Sequence, residues 1–563
     1  MKITFCGAAE SVTGSCHLIQ TNAEGAGTSF LLDCGQFQGS AKQDAQNFDP
    51  FPFSPAGIDF LILSHAHIDH CGRIPLLVKR GFQGHIYCTK ATADLLPIML
   101  RDSAHIHEKD AEWKNRKAQR SGKELIEPLY TSEDAEASLA LITPVLYDQE
   151  IVPAGDVRFS FVDAGHLLGS ALTKVRILEG GVETKLVYTG DLGADSKPLL
   201  RFPVKIRQAD ILIMETTYGA RLHEKSGPSV ERLAGIIETT TKRGGTVLIP
   251  SFAVGRTQEL IYELNKFYDR KDGNHAAFKE IKVYIDSPMA IAATEVFRRN
   301  IQDLDEEYKS LVMAGDDPLD FTNLVFTRST EESQALNADM GPKIIISASG
   351  MCDNGRIRHH LKHRLWDKRS TVVFVGYQSE GTLGRKLVDG TKTVTLFNEE
   401  IEVNAEIVSL EGFSAHADRD GLLDWVRGFD KPPATLFLVH GEAAAKAAFA
   451  ETLREEAGIE AIVVEKISDY DYVPGRTAGD EQLAEVVASD SEAGVDPEDK
   501  ERLLAKLRDI NDNVEGLLYR AKLAAVDAAD GGDEQSYTAL KNIIVSLESE
   551  TSKLAGALAR RRD

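Results

Sequence analysis

Short apolar runs separated by turn residues dominate the first two hundred residues of the chain. Each run has the length of a β-strand, and several end at a Gly or an Asp, which favours a turn. At least four runs lead into a residue that can bind a metal ion. The pattern predicts a sandwich of β-sheets with an active site along one edge. The runs are residues 1–7, 29–35, 58–65, 84–89, 157–165, 186–193 and 209–219.

The rhythm changes to strand, loop and helix between about residues 217 and 385. Helices that alternate with buried strands are typical of parallel crossover units, so an inserted parallel α/β domain is predicted. Strand-like runs then return, and two Ala-, Glu- and Lys-rich patterns near the C-terminus predict helices. The predicted fold class is therefore α/β. Its predicted parts are a sandwich over 1–210, the insertion over 211–390, a returning part over 391–470 and an acidic helical extension over 471–563.

Charge and composition narrow the functional classes. The net charge of −23 argues against nucleic-acid binding over the whole surface, because phosphate contacts need clustered Lys and Arg. Bound cations or a local basic groove can still dominate the field at one site. No apolar run is long enough to span a bilayer, and the first residues lack a signal-peptide pattern, so we expect a cytoplasmic protein without membrane contact. The six cysteines form no CxxC pair, as expected in a reducing compartment.

A dense group of metal-binding side chains follows one predicted strand. After residues 58–63 the chain continues Ser64-His65-Ala66-His67-Ile68-Asp69-His70, an imidazole and carboxylate mixture that suits zinc. Further strand ends supply more ligands, enough for two cations, and a carboxylate such as Asp191 can bridge both beside a hydroxide-like water. We expect two zinc ions, with other divalent cations left open. The candidate ligands are His65, His67, Asp69, His70, His166, Asp191 and His440.

These residues and three further motifs, ETTYG at 215–219, GFSAHAD at 412–418 and VHGE at 439–442, resemble the metallo-β-lactamase-fold nucleases of the β-CASP group. The resemblance covers residues 1 to about 465. It implies a metallo-β-lactamase αββα sandwich in which the insertion is the β-CASP domain. It also implies that Asp33 supports the site without binding metal. The implied ligand sets are His65, His67, His166 and Asp191 for one zinc, and Asp69, His70, Asp191 and His440 for the other.

The same resemblance bears on the reaction and its substrate. Glu215, His416 and His440 match three family motifs, and a His at the last of these positions implies RNA rather than DNA. Metal ions would stabilise charge on the phosphate, but the leaving oxygen needs a proton. His416, oriented and kept cationic by Glu215, is the candidate general acid. Asp69, at the metal site, is the third candidate catalytic residue.

The predicted function is a zinc-dependent ribonuclease that hydrolyses RNA phosphodiester bonds with an activated water, in RNA processing or decay. A DNA nuclease of the same fold stays open. So does a small-molecule or thioester metallohydrolase, because the HxHxDH pattern alone is shared with glyoxalase-like thioesterases and lactonases. The sequence leaves undecided whether cleavage is internal or proceeds from a 5′ end. It also leaves open a homodimer and any protein partner.

Three predicted strand–loop–helix junctions of the insertion carry Gly-Arg, at 255–256, 355–356 and 384–385. Helix starts bind anions, and an Arg placed there predicts a phosphate site. The loop over 347–356 is the strongest candidate because it offers hydroxyls, backbone amides and a cation. The alternative is that the arginines form salt bridges. The candidate phosphate- or RNA-binding residues are Arg256, Ser347, Ser349, Gly350, Gly355, Arg356 and Arg385.

Overall fold

A computed structural model describes residues 1–21, 27–122, 124–195, 197–223, 226–269, 279–379, 381–473 and 484–485 of the chain. The predicted helical extension over 471–563 lies almost entirely outside these residues. Its described parts are residues 471–473 and the short strand Ala484–Glu485. Within the described residues, no helix combines the length and apolarity needed to cross a bilayer.

Two mixed sheets form the sandwich predicted from the first two hundred residues. The first sheet has eight strands and the second has seven. In spatial order, the first sheet contains Ala484–Glu485, Ser468–Asp471, Lys2–Phe5, His17–Gln20, Ser29–Leu32, Phe60–Ile62, His85–Thr89 and Ile142–Val145. The second contains Ile462–Val463, Thr435–Val439, Ile211–Glu215, Val182–Tyr188, Ala171–Glu179, Val157–Asp163 and Ile151–Ala154.

Alternating side chains explain why the two sheets stack. Phe159 and Phe161 of one sheet share a buried cluster with Phe30, Phe60 and other side chains of the opposing sheet. The next residue in each strand, such as Leu31 after Phe30 and Leu61 after Phe60, points to the other side of the sheet and packs against helices. Because successive strand residues face opposite sides, a strand with both sides buried needs a covering layer on each. The result is the predicted αββα arrangement.

The inserted domain is built on a parallel six-stranded sheet. Its central strands are buried along their whole length, which agrees with helices on both faces. In spatial order the strands are Leu324–Phe326, Val283–Ile285, Lys343–Ser347, Thr246–Pro250, Thr371–Phe374 and Glu406–Ser409. A separate hairpin pairs Thr393–Leu396 with Glu399–Glu402. The α/β fold class with a parallel insertion is thus confirmed.

Sheet membership differs from the predicted division at two strands. Ile211–Glu215, which the prediction assigned to the insertion, pairs with Val182–Tyr188 and Thr435–Val439 inside the sandwich. Glu406–Ser409, which the prediction assigned to the returning part, pairs with Thr371–Phe374 in the inserted sheet. An apolar run in the sequence predicts a strand, but it does not predict which neighbouring strand it pairs with. The domain boundaries themselves remain a prediction.

The helices cover the three sheets. Among the described residues the longest helix is Lys90–Arg120, which runs from the first sheet past the inserted domain, where Asn300 donates to Asp94 at 3.0 Å. The other α-helices of the described ranges are Ala41–Ala45, Ile68–Cys71, Ile74–Lys79, Ser132–Leu139, Ser226–Lys242, Arg256–Asp269, Pro288–Arg299, Glu306–Met313, Thr330–Ala338, Ile357–Arg364, Leu383–Val388, Arg419–Val426 and Ala443–Ala457.

Gly35 provides a test of the close packing between the first sheet and helix Ile68–Cys71. A Cβ at Gly35 would lie 1.6 Å from the carbonyl oxygen of Asp69. We therefore expect Gly35→Ala to displace that helix and to lower the free energy of unfolding by about 1–3 kcal/mol, the usual cost of overpacking. Gly155→Ala is the control, because nothing lies within 4 Å of its added Cβ. Equal thermal unfolding midpoints for the two variants would contradict the expectation.

Candidate metal centre

The candidate ligands lie just beyond the C-terminal ends of strands in both sheets of the sandwich. Strand Phe60–Ile62 leads to His65 and His67, and helix Ile68–Cys71 carries Asp69 and His70. The second sheet supplies the others: His166 after Val157–Asp163, Asp191 after Val182–Tyr188 and His440 after Thr435–Val439. The two sheets therefore contribute to one cluster.

A first group of four ligand atoms surrounds a common point. The Nδ1 atom of His67 lies 3.1 Å from Nε2 of His65 and 3.1 Å from Nε2 of His166. One carboxylate oxygen of Asp191 lies 3.4 Å from each of the same two Nε2 atoms. Four ligands at zinc–ligand distances of 2.0–2.1 Å in a tetrahedron would be about 3.3–3.4 Å apart. The spacing therefore fits one zinc-sized ion.

A second group uses the other carboxylate oxygen of Asp191. That oxygen lies 3.1 Å from Nε2 of His70 and 3.6 Å from Nε2 of His440. The two Nε2 atoms are 3.1 Å apart, and Asp69 lies 3.5 Å from that of His440. Asp191 thus faces both groups, one oxygen to each. This is the position that a bridging carboxylate takes between two cations.

The donor chemistry of the cluster also fits cations. The Asp191 oxygen of the second group is buried and accepts no hydrogen bond within the described residues. A buried carboxylate is costly unless something positive compensates it. Burial lowers the pKa of His67 to about 3 and that of His166 well below its usual value. These imidazoles are therefore neutral, which is the form that binds metal.

Asp33 orients His70 from behind. The Nδ1 atom of His70 donates to the Asp33 carboxylate at 2.7 Å, which orients the ring so that its Nε2 atom is directed at the cluster. The Asp33 carboxylate also accepts from Ser64 and from the hydroxyl of Tyr188, at 2.7 and 2.6 Å. These contacts agree with the supporting role implied for Asp33, which stays a prediction. Sequence reasoning missed Tyr188, because a Tyr in an apolar strand reads as a core residue.

A tight turn brings Asp191 against the first sheet. Gly190 has a φ of +51°, and a Cβ on it would lie 2.6 Å from Cβ of Ser64. Only glycine combines this left-handed conformation with so close an approach. Gly190 therefore allows the loop of the second sheet to place Asp191 beside His65.

Glu215 and His416 form a pair beside the first group. The Nδ1 atom of His416 lies 3.0 Å from the fully buried Glu215 carboxylate, and its Nε2 atom lies 4.0 Å from Asp191. Burial lowers the pKa of His416, but Glu215 and Asp191 raise it by more, so the pKa lies above its usual value. Glu215 also accepts from the backbone N–H of Leu192 at 2.5 Å. The imidazole is thus oriented and favours its cationic form.

The three Gly-Arg junctions lie at helix starts, as the sequence predicts, but their arginines form ion pairs. The distances to carboxylate oxygens are 2.5 Å from Arg256 to Glu259, 2.7 Å from Arg356 to Asp286 and 2.9 Å from Arg385 to Asp389. Arg356 also donates to two backbone carbonyls, those of Thr327 and Arg328. Phosphate binding by these arginines stays a prediction, and a phosphate would have to share or replace these partners.

The loop over 347–356 is folded tightly on itself. Ser347 donates to the backbone of Asp286 at 2.8 Å, and Ser349 contacts the carbonyl of Asn354 at 3.5 Å. A Cβ at Gly350 would lie 3.3 Å from the Phe252 ring, and one at Gly355 would lie 2.2 Å from the carbonyl oxygen of Ala348. The glycines therefore permit the loop packing. Their predicted role in phosphate binding is not tested by these contacts.

Comparison with known proteins identifies the family of this chain. Residues 11–236 match the metallo-beta-lactamase superfamily, residues 257–387 the Beta-Casp domain and residues 400–464 the Zn-dependent metallo-hydrolase RNA specificity domain. Ribonuclease TTHA0252 of Thermus thermophilus is 38% identical over 442 residues, which cover 78% of this chain and 93% of that protein. The chain belongs to the β-CASP family of metallo-β-lactamase-fold proteins.

More distant members of the same family also match this β-CASP protein. Transcription termination factor FttA of Methanocaldococcus jannaschii is 34% identical over 81% of this chain and 69% of that protein. Cleavage and polyadenylation specificity factor 73 of Drosophila melanogaster is 30% identical over 78% of this chain and 60% of that protein. The family resemblance stated from the motifs is therefore confirmed.

Thr217 links the two halves of the site in this β-CASP protein, and sequence reasoning missed it. Its hydroxyl donates to Glu215 at 2.5 Å and lies 3.2 Å from Nδ1 of His440. Because the hydroxyl proton goes to the carboxylate, the oxygen accepts from Nδ1–H of His440, which leaves Nε2 of that ring free for a metal. The available signal was a hydroxyl residue two positions after Glu215 in ETTYG.

Removing this hydroxyl tests the link. We expect Thr217→Val, which keeps the shape of the side chain, to lower zinc affinity at the second ligand group by about 10–100-fold, because His440 loses its orienting partner. Thr217→Ser keeps the hydroxyl and should bind zinc like the native protein. The measurement is zinc competition against a chromogenic chelator. Equal affinities for the Val and Ser variants would show that the hydroxyl does not orient His440.

Proposed function

We propose that this chain is a metal-dependent ribonuclease that hydrolyses RNA phosphodiester bonds with two zinc ions. The observation that carries the proposal is the placement of Asp191 between two groups of ligand atoms, each with the spacing of a small cation site. The proposed ligand sets are His65, His67, His166 and Asp191 for one ion, and Asp69, His70 and His440 together with the second oxygen of Asp191 for the other.

The ligand side chains define what the centre can do. Bound zinc ions would supply Lewis acidity toward phosphate oxygens and bring the pKa of a bound water toward neutrality. The protein supplies a rigid frame, since His65, His70 and Asp191 are almost completely buried. Asp69 is more exposed than these ligands, with 19% of its side chain accessible. We therefore assign Asp69 the additional role of orienting the attacking water.

His416 is the proposed general acid. Glu215 holds its Nδ1 atom, so the Nε2 atom faces the side of Asp191 where a phosphate would lie. Glu215 and Asp191 raise the pKa of His416, which favours the protonated ring that a general acid needs. In the proposed reaction, the ring donates the Nε2 proton to the leaving oxygen as the phosphorus–oxygen bond breaks. Glu215 acts by orienting this ring.

The choice of RNA rests on family relations. One relative that spans most of the chain is named a ribonuclease, and residues 400–464 match a domain described by RNA specificity. The family resemblance implies that the residue type at position 440 differs between members that act on RNA and members that act on DNA. A His at this position implies RNA. A DNA nuclease is therefore the alternative to test. A thioester or small-molecule hydrolase is disfavoured, because it has no need of the inserted domain or of the Glu215–His416 pair.

The cellular setting is inferred from the thiols. All six cysteines are free and buried, which suits a reducing compartment. We therefore propose a cytoplasmic location. A homodimer, the identity of protein partners and the direction of cleavage stay open predictions.

Two substitutions separate metal binding from proton transfer. We expect Asp191→Ala to lose metal as well as activity, because both ligand groups share this carboxylate. His416→Ala should keep both metal ions while kcat on RNA falls by about 100- to 10,000-fold, the usual contribution of a general acid. Zinc content by atomic spectroscopy and single-turnover cleavage give both readouts. Equal metal loss in the two variants would refute this division of roles.

The substrate is tested with 5′-labelled RNA and DNA of the same sequence. We expect cleavage of RNA that stops on addition of a chelator and returns with zinc. Cleavage products resolved on a gel also show whether the first cut is internal or at the 5′ end. Cleavage of DNA alone would favour the alternative nuclease. Chelator-resistant cleavage, or no cleavage of RNA, would overturn the proposal.

A further inference from the structure

The last two turns of helix Lys90–Arg120 are basic on an otherwise acidic protein. Four of the eight residues from 113 to 120 are Lys or Arg and none is acidic, whereas the whole chain has a net charge of −23. A local excess of positive charge on such a surface marks where a polyanion can approach. We call Trp113, Lys114, Lys117 and Arg120 the basic stripe.

The cations of the stripe are available for a ligand. Lys114, Lys117 and Arg120 are exposed, and none has a carboxylate within 4 Å among the residues that the structure describes. Arg116 differs, because it pairs with Glu112 at 3.4 Å. Exposed cations elsewhere on helix Lys90–Arg120 are paired, as Lys90 is with Asp94 and Arg101 with Glu136. The stripe is thus set apart from the rest of its own helix.

An exposed aromatic ring accompanies these cations. Trp113 has 56% of its surface accessible, and the ammonium of Lys117 lies 3.4 Å from the centre of the ring. An exposed tryptophan ring offers a large apolar surface on which a base can stack. Interleaved cations and aromatic rings are what single-stranded nucleic acid binds, the cations contacting phosphates and the rings stacking on bases.

The helix that carries the stripe passes beside the metal centre. The ring of His107 lies 3.3 Å from the side chain of Gln36. The backbone N–H of Gln36 donates at 2.9 Å to the carbonyl of Ile68. Ile68 begins the short helix that also carries Asp69 and His70. Thirteen residues separate His107 from Arg120, which is about 20 Å along a helix axis. The stripe begins at Trp113, six residues beyond His107, which is about 9 Å further along the helix axis.

We propose that the basic stripe binds the backbone and one base of single-stranded RNA on its way to the metal centre. The proposal rests on the proposed ribonuclease function and adds where the substrate lies outside the ligand cluster. Lys114, Lys117 and Arg120 contact phosphates, and Trp113 stacks on a base. This surface accounts for substrate affinity without a separate RNA-binding domain.

The test combines a charge-neutralising variant with a matched control. The variant is Lys114→Gln with Lys117→Gln and Arg120→Gln. The control is Arg80→Gln with Lys368→Gln and Lys431→Gln, which removes the same charge. These three control residues are exposed and lie before strands His85–Thr89, Thr371–Phe374 and Thr435–Val439, at the strand starts and away from the edge that carries the ligands.

Binding is measured by fluorescence anisotropy with a 20-nucleotide phosphorothioate RNA that resists cleavage. In a plot of log affinity against log salt concentration, each lost phosphate contact makes the slope shallower by about 0.7. The stripe variant lacks three such contacts. When salt rises from 50 to 200 mM, its affinity should therefore fall by a factor about 20-fold smaller than that of the native protein. The control should keep the native slope. Trp113→Ala should weaken binding about tenfold with an unchanged slope.

Turnover of bis(p-nitrophenyl) phosphate, a small phosphodiester that cannot reach the stripe, distinguishes the two proposals. We expect native turnover in the stripe variant, together with a higher KM on RNA. If the stripe variant keeps the native salt slope, or if the control changes equally, the proposal that the stripe binds RNA is wrong. The proposal of ribonuclease activity would be unaffected. A native protein that binds RNA but cleaves neither substrate would overturn the ribonuclease and keep the stripe. Failure of the native protein to bind RNA would overturn both.

Discussion

The buried carboxylate of Asp191 is the constraint on which the site depends. Its two oxygens face two groups of imidazole nitrogens that come from both sheets of the sandwich. An uncompensated carboxylate in this position would cost several kcal/mol, whereas cations on either side turn the same charge into a favourable interaction. The strands must therefore hold Asp191 rigidly, and the Gly190 turn with its close approach to Ser64 does so.

Glu215 connects this constraint to the proposed chemistry. It accepts the backbone N–H of Leu192, next to Asp191 in the chain, and it also holds His416 and Thr217. One carboxylate thus ties the position of the bridging ligand to the orientation of the proposed acid. Through Thr217 the same carboxylate reaches His440 in the second ligand group. The candidate metal ligands and the proposed acid are therefore linked through hydrogen bonds.

The inserted domain contributes shape and charge around this centre. Its arginines at the Gly-Arg junctions are paired with carboxylates, so they stabilise loops at the ends of the parallel strands. The cations without such partners on helix Lys90–Arg120 lie instead on the sandwich side, in the basic stripe. The chain has a net charge of −23. Its affinity for a polyanion then depends on the positions of its unpaired cations, because a cation paired with a carboxylate produces little net electric field.

The sequence by itself determined the strands, the parallel insertion and the residues from which a metal cluster is built, because apolar periodicity and residue type are local properties. Four metal-binding side chains between His65 and His70 are visible without a fold. Only the tertiary structure decided that His70 meets His440, 370 residues away, that strand Glu406–Ser409 joins the inserted sheet, and that Thr217 connects Glu215 with His440. It also decided that Arg356 pairs with Asp286, whereas Lys114 has no carboxylate within 4 Å in the part of the chain that the structure describes. The physical reason is that pairing, burial and charge compensation depend on neighbours brought together by folding, which no local pattern encodes.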